Sequence, residues 1–500
     1  MSGADLASRV ADALSVDPEE FGARVDEEVD VLKAAVREGT FDNPQGIVGL
    51  EYEFYGVDTE TDALKRVPRP LLEYIGFEKE LGLHNAEMQT TPQPFSAYGL
   101  RAQAAEVQAR LDAALRETRT HDIRLVSDGI WTVPPVGETA TSYLADSVED
   151  DGVRIATNMS DAVRYHAMAN VEARIEMSLD VPHVALDAKT VMPESLITSI
   201  QPHYQVSHAP DLPEYLRYAI RIAGPLLAVG VNSPFLPPDL YDEDPETVLA
   251  ECWMENRIPV FESVFNTEKG NKVRLPPDVD TVEEAIDDVA ADTTVIPMMQ
   301  DPTGRYDDRF AHFRHKHGSY WRWVRPVFDG ATRSAANARI EFRPLPGQPT
   351  VHDAMSLLAV YAGLLESLPK REHPVASLPW ATAEENFYAA AAAGLDAEFT
   401  WITGGGDETT DAAVIYDDLF EHARDGLALR GLDEAEVERY VGPLAERVER
   451  RTTPARWKHD HVSAAVEAGT PFAEAVWGMQ AEYIANQRET LIEGSFLDWL

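Results

Sequence analysis

The chain has 500 residues, of which 44% are hydrophobic, so we expect one large or two modest domains with a deep core. It carries 86 acidic and 43 basic residues, and this formal net charge of −43 argues against binding to nucleic acid or anionic membranes. A single cysteine, Cys252, excludes an internal disulfide framework, and the sequence has no apolar run of about 18 residues and no apolar leader, which together predict a cytoplasmic protein.

Predicted helices and strands follow one another without strict alternation, which favours an α+β fold over a parallel doubly wound one. In chain order we expect two polar-faced helices at 5–37, strands at 47–57 and 84–90, a helix at 97–118, strands at 124–126 and 196–207, helices at 213–229 and 245–257, paired strands at 320–328 and 339–345, and a helix at 351–368. These elements divide the chain into N-terminal helices at 1–45, a central domain at 46–370 and a helical C-terminal region at 371–500 that packs on the core.

Two glutamates stand two residues apart in the first predicted strand. Because side chains alternate between the faces of a strand, Glu51 and Glu53 point the same way, with Leu50 and Tyr52 on the opposite face. Neighbouring carboxylates repel each other unless a cation lies between them, and their hard oxygen atoms suit Mg²⁺. Glu87 places another carboxylate on the next strand. The alternative is the solvated face of an edge strand.

A polar strand face follows later in the chain. Gln201, His203 and Gln205 alternate with apolar residues and therefore share one face. Amide and imidazole groups suit a polar ligand better than a core. A solvated strand face is the alternative, and His203 could also be a core histidine with its hydrogen bonds satisfied.

Arginines cluster in the last pair of predicted strands. Arg339, Glu341 and Arg343 share one face, and Arg325 stands on the preceding strand. Guanidinium groups bind phosphate and carboxylate oxygens in a bidentate way, so this row could hold metal-bound phosphates. A structural ion-pair ladder around Glu341 is the alternative.

The sequence contains no Gly-x4-Gly-Lys-Ser/Thr phosphate loop, no dinucleotide fingerprint, no Gly-x-Ser-x-Gly elbow and no His-Glu-x-x-His. The turn Gly404-Gly405-Gly406-Asp407 is interpreted as a flexible surface turn, because no basic residue follows it. Cys252 is not expected to be a nucleophile, since its helix is predicted to be buried.

The order of these segments resembles the glutamate–cysteine ligase family, also called carboxylate–amine ligases. The segments that carry the resemblance are 49–54, Glu87, Arg164-Tyr165, the strand around His203, the Asn-Ser-Pro-Phe at 232–235, Arg257 and the Glu-x-Arg-Pro at 341–344. The resemblance covers residues 46–368. It implies a glutamine synthetase-like catalytic core, with a curved, mainly antiparallel sheet flanked by helices.

The resemblance also implies roles for individual residues, ATP as a substrate and Mg²⁺ as a cofactor. The metal ligands would be Glu51, Glu53, Glu87 and Glu341. Arg325 and Arg343 would act on phosphate or on the substrate carboxylate. Substrate or nucleotide would be bound by His203, Gln205, Asn232, Arg257 and Arg164. The chain departs from the family at 203–207, where His-Tyr-Gln-Val-Ser replaces the frequent His-x-His-Val-Gly.

The implied reaction is the formation of an amide through an acyl phosphate, with L-glutamate as the acid and L-cysteine as the amine. The alternatives are a ligase for another acid and amine, a non-catalytic relative that binds nucleotide or amino acid, and a scaffold protein that uses the helical C-terminal region. The expected partners are small molecules, and the sequence is also compatible with a homo-oligomer.

Lysine accounts for only nine of the 43 basic residues. An acidic, lysine-poor surface is typical of proteins that stay hydrated in molar salt, where the Debye length falls to about 3 Å. We therefore expect a halophilic protein, and a merely acidic protein is the alternative.

Overall fold

An antiparallel sheet forms the centre of the fold in a computed structural model that describes residues 3–171, 177–266 and 271–500. The strands are β1 (Ile47–Asp58), β2 (Glu78–Lys79), β3 (Asn85–Gln89), β4 (Gln93–Pro94), β5 (Ile123–Val126), β6 (Ser147–Asp150), β7 (Val153–Ala156), β8 (Ser178–Val181), β9 (Val184–Asp187), β10 (Ile200–Val206), β11 (Val324–Asp329), β12 (Asn337–Phe342), β13 (Trp401–Ile402) and β14 (Glu408–Thr409).

Helices surround this sheet and make up most of the chain beyond residue 350. They are α1 (Gly3–Leu14), α2 (Pro18–Arg37), α3 (Arg69–Ile75), α4 (Ala97–Arg119), α5 (Ala140–Ala145), α6 (Val163–Met168), α7 (Leu212–Gly230), α8 (Pro245–Glu251), α9 (Arg257–Phe265), α10 (Val282–Ala291), α11 (Ala311–His317), α12 (Val351–Ser367), α13 (Trp380–Ala393), α14 (Ala412–Leu429), α15 (Glu434–Glu449), α16 (Pro454–Glu467) and α17 (Phe472–Thr490).

The central sheet runs β11-β12-β10-β1-β3-β2, with β4 and β5 also paired to β1, so it contains eight strands in the described part of the chain. All of these neighbours are antiparallel. Strand β1 is twelve residues long and pairs with four others, which makes it the hub of the sheet. The predicted α+β fold with a mainly antiparallel sheet is confirmed.

One face of the sheet is apolar and packs on helices. Leu50, Tyr52 and Phe54 of β1 are buried, as the alternation of the sequence predicts. Helices α7 and α12 contact the strands on this side, and the ring of Tyr361 on α12 stacks on Phe342 of β12 with 4.6 Å between ring centroids. The opposite face of the sheet is therefore left for polar side chains.

The C-terminal helices share this core. Helices α14 and α15 pack on α12, and α13 packs on α7. A buried ion pair joins Arg447 of α15 to Asp353 of α12, with 2.7 Å between Nη2 and Oδ1, and a second buried pair joins Lys458 of α16 to Asp128. At the other end of the chain, Glu28 of α2 accepts a 2.8 Å hydrogen bond from the backbone of Phe313. No helix in the described residues is long and apolar enough to cross a membrane.

Candidate active site

Strand pairing brings the charged residues of distant segments onto one face of the sheet. Glu51 lies opposite Gln201 and Glu53 opposite Glu87. Directly paired residues in an antiparallel sheet place their side chains on the same face. The strand β12 continues this arrangement, since Glu341 lies opposite both His203 on β10 and Arg325 on β11. The face thus has an acidic part around β1 and β3 and a basic part around β12.

The acidic part is crowded with carboxylates. Burial, followed by the charge of Glu80, raises the pKa of Glu53 to about 7. Burial and the charges of Glu80 and Glu51 raise the pKa of Glu87 well above its ordinary value. Burial, Glu80 and Glu53 raise the pKa of Glu194 to about 8. These carboxylates disfavour each other's ionised form, and a divalent cation among them would reduce that repulsion. The oxygen chemistry of the set fits Mg²⁺, but among the described residues no three of these carboxylates bring ligand atoms within 4.8 Å of one another.

Glu53 is held in place by neighbouring hydrogen bonds. The backbone N–H of Ser199 donates to its Oε2 at 2.6 Å, and Gln201 Nε2 donates to its Oε1 at 2.8 Å. Gln89 Nε2 similarly donates to Glu87 Oε1 at 3.1 Å. These bonds fix the carboxylates in orientation before any ligand binds.

The basic part centres on Glu341. Arg325 and Arg343 both contact its Oε1, at 2.9 and 2.6 Å. Burial alone would raise the pKa of Glu341, but the two guanidinium groups hold it well below its usual range. Glu341 is therefore ionised and already paired, which matches the ion-pair ladder considered from the sequence. Its expected role as a metal ligand stays a prediction.

His203 connects the two parts. Its Nε2 lies 3.3 Å from Glu51 Oε1, and its Nδ1 accepts a 3.2 Å hydrogen bond from Arg339 Nε. Arg339 in turn makes a bidentate contact with Asp329 at 2.7 and 2.9 Å. Because Nδ1 accepts, the neutral ring carries its proton on Nε2, a buried nitrogen that makes no hydrogen bond within the described residues although Glu51 is near.

A cavity of about 530 Å³ opens beside these residues. Its lining includes Gly49, Glu51, His203, Gln205 and Arg339. Gly49 faces His203 across the strand pair, and a side chain there would begin 3.7 Å from the His203 Cβ. The polar strand face of β10 therefore lines a cleft large enough for a small-molecule ligand.

Two of the expected ligand-binding residues are buried and donate hydrogen bonds to backbone carbonyls. Asn232 is fully buried, and its amide donates to the carbonyl of Gly347 at 2.7 Å and to Tyr483 at 3.0 Å. Arg257 is 2% exposed and donates to the carbonyl of Pro344 at 2.9 Å. These contacts brace the segment after β12, and the expected ligand-binding roles of Asn232 and Arg257 stay predictions.

Arg164 stands at the margin of the acidic part. Its guanidinium lies over the ring of Tyr165, 5.0 Å from the ring centroid. Burial and the charge of Glu80 raise the pKa of Tyr165, so this tyrosine lies near the carboxylates. Arg164 approaches the site through Tyr165 and is not part of the charged sheet face.

The acidic part contains two further carboxylates that were not predicted from the sequence. Glu80 follows the short strand β2, and Glu194 lies in a one-turn helix just before β10. The charge of Glu80 raises the pKa values of Glu53, Glu87 and Glu194, and the charge of Glu53 also raises that of Glu194. The signal in the sequence was weak, because acidic residues are common throughout this chain.

The comparison with known proteins agrees with the fold. The model of glutamate–cysteine ligase family 2 matches residues 47–489. A crystal structure of glutamate–cysteine ligase from Francisella tularensis in complex with AMP has a TM-score of 0.50 and 12% identity, covering 90% of this chain and 91% of that one. A bifunctional glutathione synthetase from Pasteurella multocida has a TM-score of 0.49 and 14% identity, covering 92% of this chain and 55% of that one. No curated protein matches by sequence.

One face of the sheet carries carboxylates and guanidinium groups, and the family model matches most of the chain. Together these observations define an ATP-dependent ligase that forms amides. The chain belongs to glutamate–cysteine ligase family 2. The match continues to residue 489, so the family model includes most of the helical C-terminal region as well as the sheet.

Proposed function

We propose that the protein joins the carboxylate of L-glutamate to the amine of L-cysteine, using ATP and Mg²⁺. The observation that carries this proposal is the single sheet face on which Glu51, Glu53 and Glu87 adjoin the Arg325–Glu341–Arg343 row. Membership in the family supports the reaction class, and the choice of glutamate and cysteine as substrates is part of the proposal.

The carboxylates would hold Mg²⁺ through Glu51, Glu53 and Glu87, with Glu341 as a further ligand. Bound Mg²⁺ would neutralise phosphate charge and align the oxygens that react. Glu80 and Glu194 enlarge the same acidic set, since the charge of Glu80 raises the pKa values of Glu53 and Glu87, and the charges of Glu80 and Glu53 raise that of Glu194. The hydrogen bonds from Ser199 and Gln201 hold the Glu53 carboxylate in one orientation, which would favour metal binding.

Arg325 and Arg343 would bind the oxygens of the transferred phosphate or of the glutamate carboxylate. Both guanidinium groups are largely enclosed, with 12% and 18% of their side chains exposed, so their charges are little screened by water. A positive charge fixed in this way stabilises negative charge that develops during phosphoryl transfer. Their shared partner Glu341 keeps the two guanidinium groups oriented before substrate binds.

The cleft beside β10 would hold the nucleotide. The Francisella tularensis structure contains AMP, and we extend nucleotide binding to this chain. His203 and Gln205 line the cleft with hydrogen-bonding groups, and Arg339 adds a positive charge that Asp329 holds in place.

The reaction itself would proceed by attack of the glutamate carboxylate on ATP, followed by displacement of phosphate by the amine. Neither step needs a protein nucleophile, because placing the reactants and neutralising charge accounts for most of the rate. Cys252 follows α8, which is mostly exposed and not buried as expected, but desolvation raises the pKa of its half-buried thiol to about 12 and disfavours the thiolate.

The test is phosphate release from ATP by the purified protein in molar KCl with Mg²⁺. We expect release that requires both L-glutamate and L-cysteine, and a large loss in Glu51→Gln. Glu60→Gln is the matched control, because Glu60 is exposed just beyond β1. Release with another acid and amine would keep the mechanism and change the substrates. Folded protein that releases no phosphate with any pair would favour the non-catalytic binder.

A further inference from the structure

Metal-ligating side chains also gather outside the sheet, in the C-terminal helical region. His373 follows α12, while Asp418 and His422 stand one turn apart on α14. One ligand atom of each residue lies within 4.8 Å of the other two, and His373 Nε2 is 3.1 Å from Asp418 Oδ2. We propose that these three residues form a second metal site, distinct from the carboxylate face, that binds Zn²⁺ or a similar divalent transition metal.

The hydrogen bonds around His422 leave its Nε2 free to bind a metal. Ser367 Oγ donates to Asp425 Oδ2 at 2.8 Å, so its oxygen accepts from His422 Nδ1 at 3.3 Å. The neutral imidazole then presents an unprotonated Nε2 to the cluster. Metal-binding histidines usually donate their other N–H in this way, which fixes the orientation of the ring.

A glycine keeps the space between the three ligands open. Gly404 lies in the turn between β13 and β14, and its backbone N–H donates to Asp418 Oδ1 at 2.8 Å. A Cβ at this position would lie 3.1 Å from His422 Nε2, 3.4 Å from Asp418 Oδ1 and 3.5 Å from His373 Nε2. Any side chain would therefore enter the volume that the three ligand atoms face.

The ligand types and spacing select the metal. Two imidazole nitrogens and one carboxylate suit Zn²⁺, whereas Mg²⁺ prefers oxygen alone. Ligands about 2.0–2.1 Å from a tetrahedral metal lie roughly 3.3–3.5 Å apart, close to the 3.1 Å between His373 Nε2 and Asp418 Oδ2.

Metal binding at His373 requires an exchange of partners. The backbone N–H of Val375 donates to His373 Nδ1 at 3.1 Å, so the neutral ring carries its proton on Nε2 and donates it to Asp418. On binding, the ring changes tautomer: the proton leaves Nε2, Nδ1 takes up a proton and gives up its hydrogen bond from Val375, and Nε2 and the Asp418 carboxylate each form a bond to the metal. Without metal, the same residues form a hydrogen-bonded brace between α12 and α14.

The experiment measures Zn²⁺ binding to the full-length protein, stripped of metal and then dialysed against Zn²⁺ with excess Mg²⁺ to occupy the carboxylate face. We expect one equivalent of Zn²⁺ per chain and a loss of at least tenfold in affinity for both His422→Gln and Gly404→Ala. Ser367→Ala should weaken binding by about 10- to 100-fold, because it removes the partner of the His422 ring. His121→Gln is the control, since His121 is an exposed histidine outside the cluster.

Circular dichroism and the urea midpoint establish that each variant is folded, and Gly404→Ala keeps all three ligands if His422→Gln does not fold. Binding of Co²⁺ with the visible absorption of a tetrahedral site, lost in the same variants, would be a second supporting result. The proposal is overturned by folded wild-type protein that retains no stoichiometric Zn²⁺. It is also overturned if Gly404→Ala and His422→Gln bind Zn²⁺ as tightly as the His121 control.

Discussion

Glu53 lies directly opposite Glu87 where β1 pairs with β3, so two carboxylates share one position on the same face of the sheet. Like charges directly opposite each other destabilise a pair of strands. Burial and the nearby Glu80 add to this effect, and the pKa values of both groups are raised. Such a pair weakens the metal-free fold and strengthens the binding of a cation.

Glu87→Gln tests this relationship. The substitution keeps the shape of the side chain and prevents it from ionising at a buried position, where 6% of the residue is exposed. We expect Mg²⁺-dependent phosphate release to fall by about 100-fold or more, since a metal contributes several kcal/mol to phosphoryl transfer. The urea midpoint measured without Mg²⁺ should stay the same or rise. A lower midpoint together with lost activity would instead indicate a structural role for Glu87.

Stability of the metal-free protein should fall as the pH rises through neutrality. The pKa values of Glu53 and Glu194 are about 7 and about 8 in the folded protein, above the ordinary value of 4.5. Between pH 4.5 and pH 8 the folded state therefore binds more protons than the unfolded state, and the free energy of unfolding decreases with increasing pH.

The measurement is urea unfolding at pH 5.5, 7 and 8.5, with and without Mg²⁺. Saturating Mg²⁺ should flatten the decrease, because a bound cation favours the ionised carboxylates. Exposed carboxylates such as Glu60 lie outside the carboxylate face and are present both with and without Mg²⁺, so they serve as the internal control. A decrease of the same size with saturating Mg²⁺ would assign the effect to groups outside the carboxylate face.

The sequence predicted the strands of the site and the face that each side chain occupies. The residues of β1, β10 and β12 follow a period of two, and that local pattern survives folding. The family, expected from the order of the motifs, and the α+β fold, expected because helices and strands do not alternate strictly, are both confirmed.

The sequence could not predict which groups meet across the sheet. The pairing of Glu51 with Gln201 joins residues 150 positions apart, and no local pattern sets such a register. The ligand-binding roles expected of Asn232 and Arg257 rest on the family resemblance and stay predictions, but their contacts inside the fold could not be predicted. Their burial depends on Gly347 and Pro344, more than 85 residues away.

The net charge of −43 predicts that salt stabilises the fold. Self-repulsion of a highly charged chain favours expansion, and molar KCl screens it. We expect the urea midpoint to increase markedly between 0.1 M and 2 M KCl. Sucrose at matched osmolality is the control, since it favours compact states without screening charge. An equal gain in sucrose would support a merely acidic protein over one adapted to salt.

The buried pair Arg447–Asp353 should make the C-terminal region essential for the stability of the sheet domain. Neither side chain is exposed, and the contact joins α15 to α12, the helix that supports the sheet. Arg447→Met keeps the length of the side chain and leaves the Asp353 carboxylate buried without its charged partner. Removing one member of such a pair costs about 3–5 kcal/mol in the free energy of unfolding.

Arg424→Met is the matched control for this prediction, because Arg424 forms an exposed pair with Glu438 at 2.6 Å. An exposed pair contributes at most about 1 kcal/mol, so the control should unfold close to the wild-type midpoint. Urea unfolding followed by tryptophan fluorescence and by far-ultraviolet circular dichroism measures both variants. If the two probes coincide and Arg447→Met alone is destabilised, residues after 370 unfold together with the sheet. Separate transitions in wild-type protein would show instead that the C-terminal helices form an independent unit, and the Arg447–Asp353 contact would then be a contact between two domains.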